Sequence, residues 1–183
     1  MLGSALIVTA IIIPLFIFGI VAFILSSYKK VPQGQAIIKS GLGGTAVSFS
    51  GMTIVPVIHQ MELVDLTIKK ITIDRRGKAA VIDKNQEPVE FIADFMIKVN
   101  ATARDVQDVV MSFGAANTFN TKAVEKLFKS KFEEAIESVL SQHSFEELFK
   151  NREEIKFPII VNIGRDLNGF MLDDLAITHF KKG

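Results

Sequence analysis

The segment Gly41-Leu42-Gly43-Gly44-Thr45 is the first place to look for chemistry, because a glycine-rich loop lets backbone amides close around a phosphate. No Lys-Ser or Lys-Thr follows it, and Ala46-Val47-Ser48-Phe49 reads as a strand, not as the start of a helix. A tight turn with positive φ angles, which glycine adopts without a Cβ clash, accounts for the pattern. His59 and Glu62 are three apart, a spacing that in a strand puts them on opposite faces, and no second histidine lies nearby to complete a metal set. Ser144 lacks a G-x-S-x-G context, and Ser144-Phe145-Glu146-Glu147 is a capping box that explains the serine without a nucleophilic role. His143 and His179 stand alone at the edges of other elements. Asp74-Arg75-Arg76, next to Gly77, offers a contact for anionic lipid or a partner, but exposed ion pairing beside a turn is the simpler account. These groups do not converge on a reaction, so the chain reads as non-catalytic, with no cofactor and no metal.

The elements that would carry these residues are legible in the spacing. From Gln35 to about Asp83 the chain is β-rich, in short apolar runs punctuated by Gly41, Gly43, Gly44, Gly51, Pro56 and Gly77. Val89, Phe91, Ala93, Phe95, Ile97 and Val99 then alternate with Glu90, Ile92, Asp94, Met96, Lys98 and Asn100, the period of a strand with one core face. A short helix is expected over Ala103 to Ser112. A longer one follows Asn120 or Thr121 as N-cap, its buried stripe formed by Val124, Leu127, Phe128, Phe132, Ile136, Val139 and Leu140. The lysines and glutamates of that helix are most simply its solvated face. The capping box at Ser144 starts a further helix, expected to kink near Pro158 and to end at Asn168-Gly169. Phe170 to Phe180 reads as a strand returning to the sheet. This order favours an α+β fold, helices packed on an antiparallel sheet, over a parallel α/β fold.

Composition narrows the partners. Lys plus Arg is 21 and Asp plus Glu is 20, interleaved, so no broad basic field exists for nucleic acid. The absence of Cys removes disulfides, thiolate metal sites and palmitoylation, and Leu2 in place of Gly excludes N-myristoylation.

Leu2 to Leu25 is a run of about 24 uncharged residues, which at ~1.5 Å each reach ~36 Å against a hydrocarbon core of ~30 Å. The run is longer than a signal-peptide h-region and lacks a basic n-region. It meets Ser26-Ser27-Tyr28-Lys29-Lys30, not a small-residue cleavage site. It is therefore expected to span a membrane. Leu6, Ile13, Phe16, Phe18 and Phe23 would lie in the acyl region, Tyr28 at the interface, and Lys29 and Lys30 at the head groups. The positive-inside rule then places the bulk of the chain in the cytoplasm. Met52-Thr53-Ile54-Val55-Pro56-Val57-Ile58 reads either as a buried strand or as a shallow hairpin dipping into the leaflet.

Taken in order, three features resemble the SPFH family (stomatin, prohibitin, flotillin, HflK/HflC): Gln35-Ala36 to Gly41-Leu42-Gly43-Gly44, then Ser50-Gly51 to Ile54-Val55-Pro56-Val57-Ile58-His59, then the alternating strand. The likeness is greatest to bacterial flotillins of the YqiK type. Leu127, Phe132, Ala135-Ile136, Phe145-Glu146-Glu147-Leu148, Arg152-Glu153, Asp166-Leu167 and Gly169 continue the pattern. The resemblance implies an anchor over residues 1–28, a first SPFH subdomain over 29–86 and a second over 87–183. It implies lateral homo-oligomerisation into a large ring or cage that organises a membrane microdomain, with no catalysis. The implied partners are membrane lipid, copies of the chain, and other membrane proteins such as an NfeD-like partner or a protease; the implied location is a bacterial inner membrane. In the family the first subdomain lies at the leaflet, which favours contact there by Met52, Ile54, Val55, Pro56, Val57 and Ile58. The alternative is an HflK/HflC-like role, enclosing and modulating a membrane protease. Flotillins continue into a long Ala/Glu-rich coiled coil, whereas this sequence stops at Lys181-Lys182-Gly183. Either the sequence is partial or assembly relies on the module and anchor.

Overall fold

Helix α1, Leu2–Ser26, forms from the uncharged run and continues through Pro14. At its end the hydroxyls of Ser26 and Ser27 donate back to the Phe23 carbonyl at 2.9 and 2.8 Å, meeting the acceptor need of a last turn. The computed structural model describes residues 2–150, 152–164 and 167–183, with side chains from residue 10 onward other than 152–154. The side chains of Leu6, Arg152 and Glu153, and Asp166 as a whole, therefore lie outside the described residues.

The chain divides into two compact units, Met1–Leu63 and Val64–Gly183. In the first, α1 runs directly into β1 (Tyr28–Lys30), followed by β2 (Gln35–Gly41), β3 (Ala46–Ser48), β4 (Gly51–Thr53) and β5 (His59–Asp65). β1 pairs antiparallel with β4, and a second sheet has the order β3-β2-β5. Ala36, Ile37 and Ile38 are buried in succession, so both faces of the central β2 are covered. The glycine segment is the expected turn. Gly44 N–H donates to the Gly41 carbonyl at 3.0 Å, and Gly41, Gly43 and Gly44 have φ of +132°, +94° and +89°. A Cβ on Gly41 would sit 2.2 Å from the Ile58 carbonyl oxygen, which ties this turn closely to the segment before β5.

The second unit is organised on a twelve-residue strand. After β6 (Lys69–Arg75) and β7 (Val81–Ile82) comes β8 (Pro88–Val99), whose alternation is realised as read: Val89, Phe91, Ala93, Phe95, Ile97 and Val99 are all buried. One edge of β8 pairs with β6 and β7, and the other pairs with β9 (Phe170–Lys182), all antiparallel. These pairings place β6 and β7 in the sheet of the second unit, so the compact division falls upstream of residue 86. Between them run α2 (Ala103–Ser112), α3 (Thr121–Leu140), α4 (Phe145–Lys150) and α5 (Arg152–Ile163). The architecture is α+β with antiparallel sheets.

The phenylalanines make the core continuous. Phe95 stacks on Phe132 of α3 at 4.3 Å between ring centroids, Phe128 meets Phe132 and Phe170, and Phe170 meets Phe113 edge-on. A second group joins Phe91, Phe180, Phe145 and Phe149. Each buried ring contributes roughly 1.5–3 kcal/mol through area alone. β9 carries two bulges: the register passes from Ile92↔His179 to Ala93↔Ile177 and from Met96↔Asp174 to Ile97↔Leu172, leaving Thr178 and Asp173 without a strand partner.

Helix caps follow the sequence closely. Asn120 caps α3 by accepting from the N–H groups of Lys122 and Ala123. The capping box closes both ways, with Ser144 N–H donating to Glu147 at 3.0 Å and Glu147 N–H to the Ser144 hydroxyl at 3.3 Å. Beyond Ser144 the described residues form α4 and α5 on either side of residue 151, and α5 runs through Pro158 and ends at Ile163, not at Asn168-Gly169. Gly164, at φ +79°, takes the left-handed position after α5 and donates to the Ile160 carbonyl. Asn168 (φ +53°) and Gly169 (φ +86°) form a tight Asn-Gly turn between Leu167 and Phe170, a hairpin signal that a C-cap reading overlooks.

Asp83 pins this unit together although only 2% of its surface is exposed. Its carboxylate accepts the N–H groups of Asn85 (2.8 Å), Glu87 (2.9 Å) and, across the fold, Phe145 (3.0 Å). Burial works against its charge, but these donors outweigh it and hold the carboxyl below its ordinary range. Two outcomes follow from the geometry. A Cβ on Gly169 would lie 2.4 Å from the Asp105 carbonyl oxygen, so Gly169→Ala should lower unfolding free energy by about 2–3 kcal/mol in urea titrations. For Asp83, a depressed folded pKa means that its stabilisation is present above the unfolded value of ~3.9 and is lost as pH falls through the lower folded value. Asp83→Asn should cost about 1–3 kcal/mol at neutral pH and flatten the stability profile below pH ~4.

Candidate functional site

The residues with chemical potential are used structurally and stay apart. His59 opens β5, where its Nδ1 accepts the Val55 N–H at 3.2 Å and its Nε2–H donates to the Leu42 carbonyl at 3.1 Å. Both ring nitrogens are thereby spent on joining the glycine turn to the 55–58 turn, and this pairing assigns the proton to Nε2. His179 lies 3.4 Å from Glu90, whose carboxyl also accepts the Gly77 N–H, the main reason it sits below its ordinary range. Arg76 holds Asp74 through two parallel bonds of 2.8 and 2.5 Å, the exposed pairing expected beside Gly77. Thr72 (2.6 Å) and Lys70 (3.1 Å) converge on Asp94, and the Thr72 hydroxyl is the main cause of its lowered carboxyl pKa. Among the described residues no three His, Asp or Glu side chains are placed to share a metal ion.

The remaining candidate is an apolar surface on the first unit. Ile13, Phe16, Phe18 and Phe23 of α1 are exposed, as are Ile11, Ile12, Leu15, Ile17 and Leu25, so the helix is apolar on every face and has no core-facing stripe. Among the described side chains no helix is long and apolar enough to cross a membrane. The stretch 10–26 reaches only about 26 Å at ~1.5 Å per residue, although the α1 backbone as a whole is 25 residues long.

The helix exit is fixed to the sheet without a linker. Tyr28 pairs with Thr53, Lys29 with Met52 and Lys30 with Gly51, and Ile54 N–H donates to the Ser27 carbonyl at 2.8 Å. Tyr28, Lys29 and Lys30 are exposed there. The 52–58 segment divides its residues. Met52 is half-buried in β4, Ile54 is 4% exposed and faces the core, and Val55 is half-buried, while Pro56, Val57 and Ile58 form a protruding turn with Val57 91% exposed. It is neither a buried strand nor a hairpin, because β4 and β5 on either side of the turn pair with different strands, β1 and β2. Ile54 therefore does not offer its side chain to a leaflet.

Leu42, which the sequence reading passed over, belongs with this turn. Its N–H donates to the Ile58 carbonyl at 3.1 Å, and its side chain is 73% exposed. The signal was available: a leucine between glycines at a turn tip has no core to enter. Leu42, Val57 and Ile58 thus share one apolar tip, held by His59 and by the close approach of Gly41 to Ile58.

The model of the SPFH domain / Band 7 family matches residues 29–181. The flotillin family inner membrane protein YqiK of Escherichia coli (strain K12) is 26% identical over 171 residues, covering 92% of this chain and 30% of that protein. The chain thus spans less than a third of that relative's length. The family match begins in β1 and ends in β9, taking in strands and helices of both units, and the chain belongs to the SPFH domain / Band 7 family.

Proposed function

We propose that this chain is a non-catalytic scaffold of a bacterial inner membrane, anchored by α1 and assembled laterally into a ring or cage that organises a flotillin-like microdomain. The observation that carries the reading is a helix apolar on all faces, joined without a spacer to the first ladder of an SPFH module. At full length, Leu2–Ser26 gives ~37 Å of helix, enough for a tilted span. Lys29 and Lys30 then stand at the head groups, and the positive-inside rule puts the module in the cytoplasm. With α1 spanning, the Ser27–Ile54 bond holds the 55–58 turn near the membrane surface, and Val57, Ile58 and Leu42 touch the leaflet. The E. coli relative is named as an inner membrane protein of the flotillin family, which supports the same placement. The two compact units serve as the two SPFH subdomains, divided at Leu63/Val64 and not at the expected residue 86. Partner membrane proteins, whether NfeD-like or a protease enclosed as in the HflK/HflC branch, would be read from what co-purifies.

The anchor is tested by fractionation. The chain should stay with membranes through an alkaline carbonate wash, and Phe16→Lys with Ile17→Lys should shift it to the supernatant, since each mid-span lysine costs about 2.5–3.5 kcal/mol. Release of the unaltered chain by carbonate would remove the spanning reading. The tip is tested separately, using the absence of native cysteines. Val57→Cys and Leu42→Cys should react with a water-soluble maleimide several-fold more slowly in membranes than in detergent, whereas Lys84→Cys should react equally in both.

A further inference from the structure

The charges of the first unit are few and of one sign. Lys29, Lys30 and Lys39 are the only charged side chains before Glu62, although the chain as a whole carries a formal charge of only +1. The remainder is therefore net negative. Lys29 and Lys30 are exposed, Lys39 is half-buried, and none of the three forms an ion pair among the described residues. In the second unit, by contrast, Lys69, Lys70, Arg75, Arg76, Lys98 and Lys182 each meet a carboxylate. The lysines of the first unit bracket its apolar parts. Lys29 and Lys30 follow α1 and pair with Met52 and Gly51, on the strand that leads to the 55–58 turn. Lys39 lies on β2, two residues before Gly41, whose turn carries Leu42. Beside the tip made by Leu42, Val57 and Ile58 is a cavity of about 440 Å³, bordered by Ser40, His59 and Gln60. The His59 ring is already engaged, but the Ser40 hydroxyl and the Gln60 amide have no hydrogen-bond partner among the described residues.

We propose that this unit selects anionic phospholipid. The three lysines hold anionic head groups around it, the cavity takes the polar end of one of them through Ser40 and Gln60, and acyl chains lie against Leu42, Val57 and Ile58. This rests on the leaflet contact proposed above and names the lipid class that answers it. A zwitterionic lipid would cover the tip but leave the lysines without counter-charge. An acidic protein or a free phosphate would neutralise the lysines but leave the tip in water. A lipid that is both acylated and anionic meets every one of these features. At an anionic bilayer each such lysine strengthens binding about fivefold, an effect confined to roughly a Debye length from the surface.

The experiment uses the full chain with a fluorescent maleimide on Val57→Cys, a unique site because the chain has no native cysteine. It is placed in nanodiscs of equal phosphatidylcholine and phosphatidylglycerol, with quenching bromine carried on the acyl chains of one lipid or the other. Brominated phosphatidylglycerol should quench several-fold more, and the excess should shrink at high salt. Lys29→Gln, Lys30→Gln and Lys39→Gln together should abolish the excess. Ser40→Ala with Gln60→Ala should reduce it while leaving its salt dependence intact. Lys78→Gln with Lys84→Gln, in the second unit, should leave it unchanged. Equal quenching by the two lipids, or an excess lost as readily in the Lys78 and Lys84 variant, would overturn lipid selection while contact of the tip with the leaflet stands. An excess untouched by the Ser40 and Gln60 variant would overturn the role of the cavity. Quenching by neither lipid would overturn the leaflet contact and this proposal together. Thermal melts identify any variant that fails to fold, in which case the two lipids and the salt series on the labelled Val57→Cys chain decide.

Discussion

The period-two burial along β8 is the constraint from which the rest of the second unit follows. Six inward side chains between Val89 and Val99 fix which face of the sheet α3 covers, and the Phe95–Phe132 stack fixes where along the helix the contact falls. A slip of one residue would turn every one of those side chains outward, so the pairing register of β6, β7 and β9 is set by the same choice. The phenylalanines then extend this seam to α2 and α4, which explains why so Phe-rich a chain manages without tryptophan.

The first unit depends on a different kind of constraint, backbone continuity. It has a small core, and what defines it is a ladder that starts two residues after a helix ends. Any tilt of α1 is passed to β1 and β4 through three register pairs and the Ser27–Ile54 bond, and from there to the turn at 55–58. His59 and Gly41 complete the linkage by fastening a second turn to the first. Both ring nitrogens of the histidine are accounted for by this linkage.

Much of the second unit was legible from the residues, because long periodic elements announce their own faces: β8, α2, α3 and the Ser144 box appear where the spacing puts them, except that Leu127, expected in the buried stripe of α3, lies at its edge and is 46% exposed. The misses share a physical origin. Gly164 and Gly169 both adopt left-handed angles, and the Leu167–Phe170 bridge shows that Gly169 is the one in a hairpin turn. The 52–58 run hides its outcome because a short apolar stretch carries no usable period. Burial of Ile54 is decided by the bond from Ser27, a residue distant in sequence, while the His59 bond to Val55 shapes the turn that exposes Val57. Exposure of Leu42 could be read from its place between turn glycines; only its pairing with Ile58 could not.

The two bulges of β9 have a bearing on crowding. Confinement to a surface multiplies the collision rate between copies, and an open sheet edge is then a template for runaway strand addition and fibrous aggregates. At Asp173 and Thr178 the edge loses its regular repeat of donors and acceptors, and Asp173 is further engaged by Lys98. A strand so interrupted cannot zip to an identical neighbour over its length. In the membrane assembly proposed above, crowded copies would keep their sheets separate.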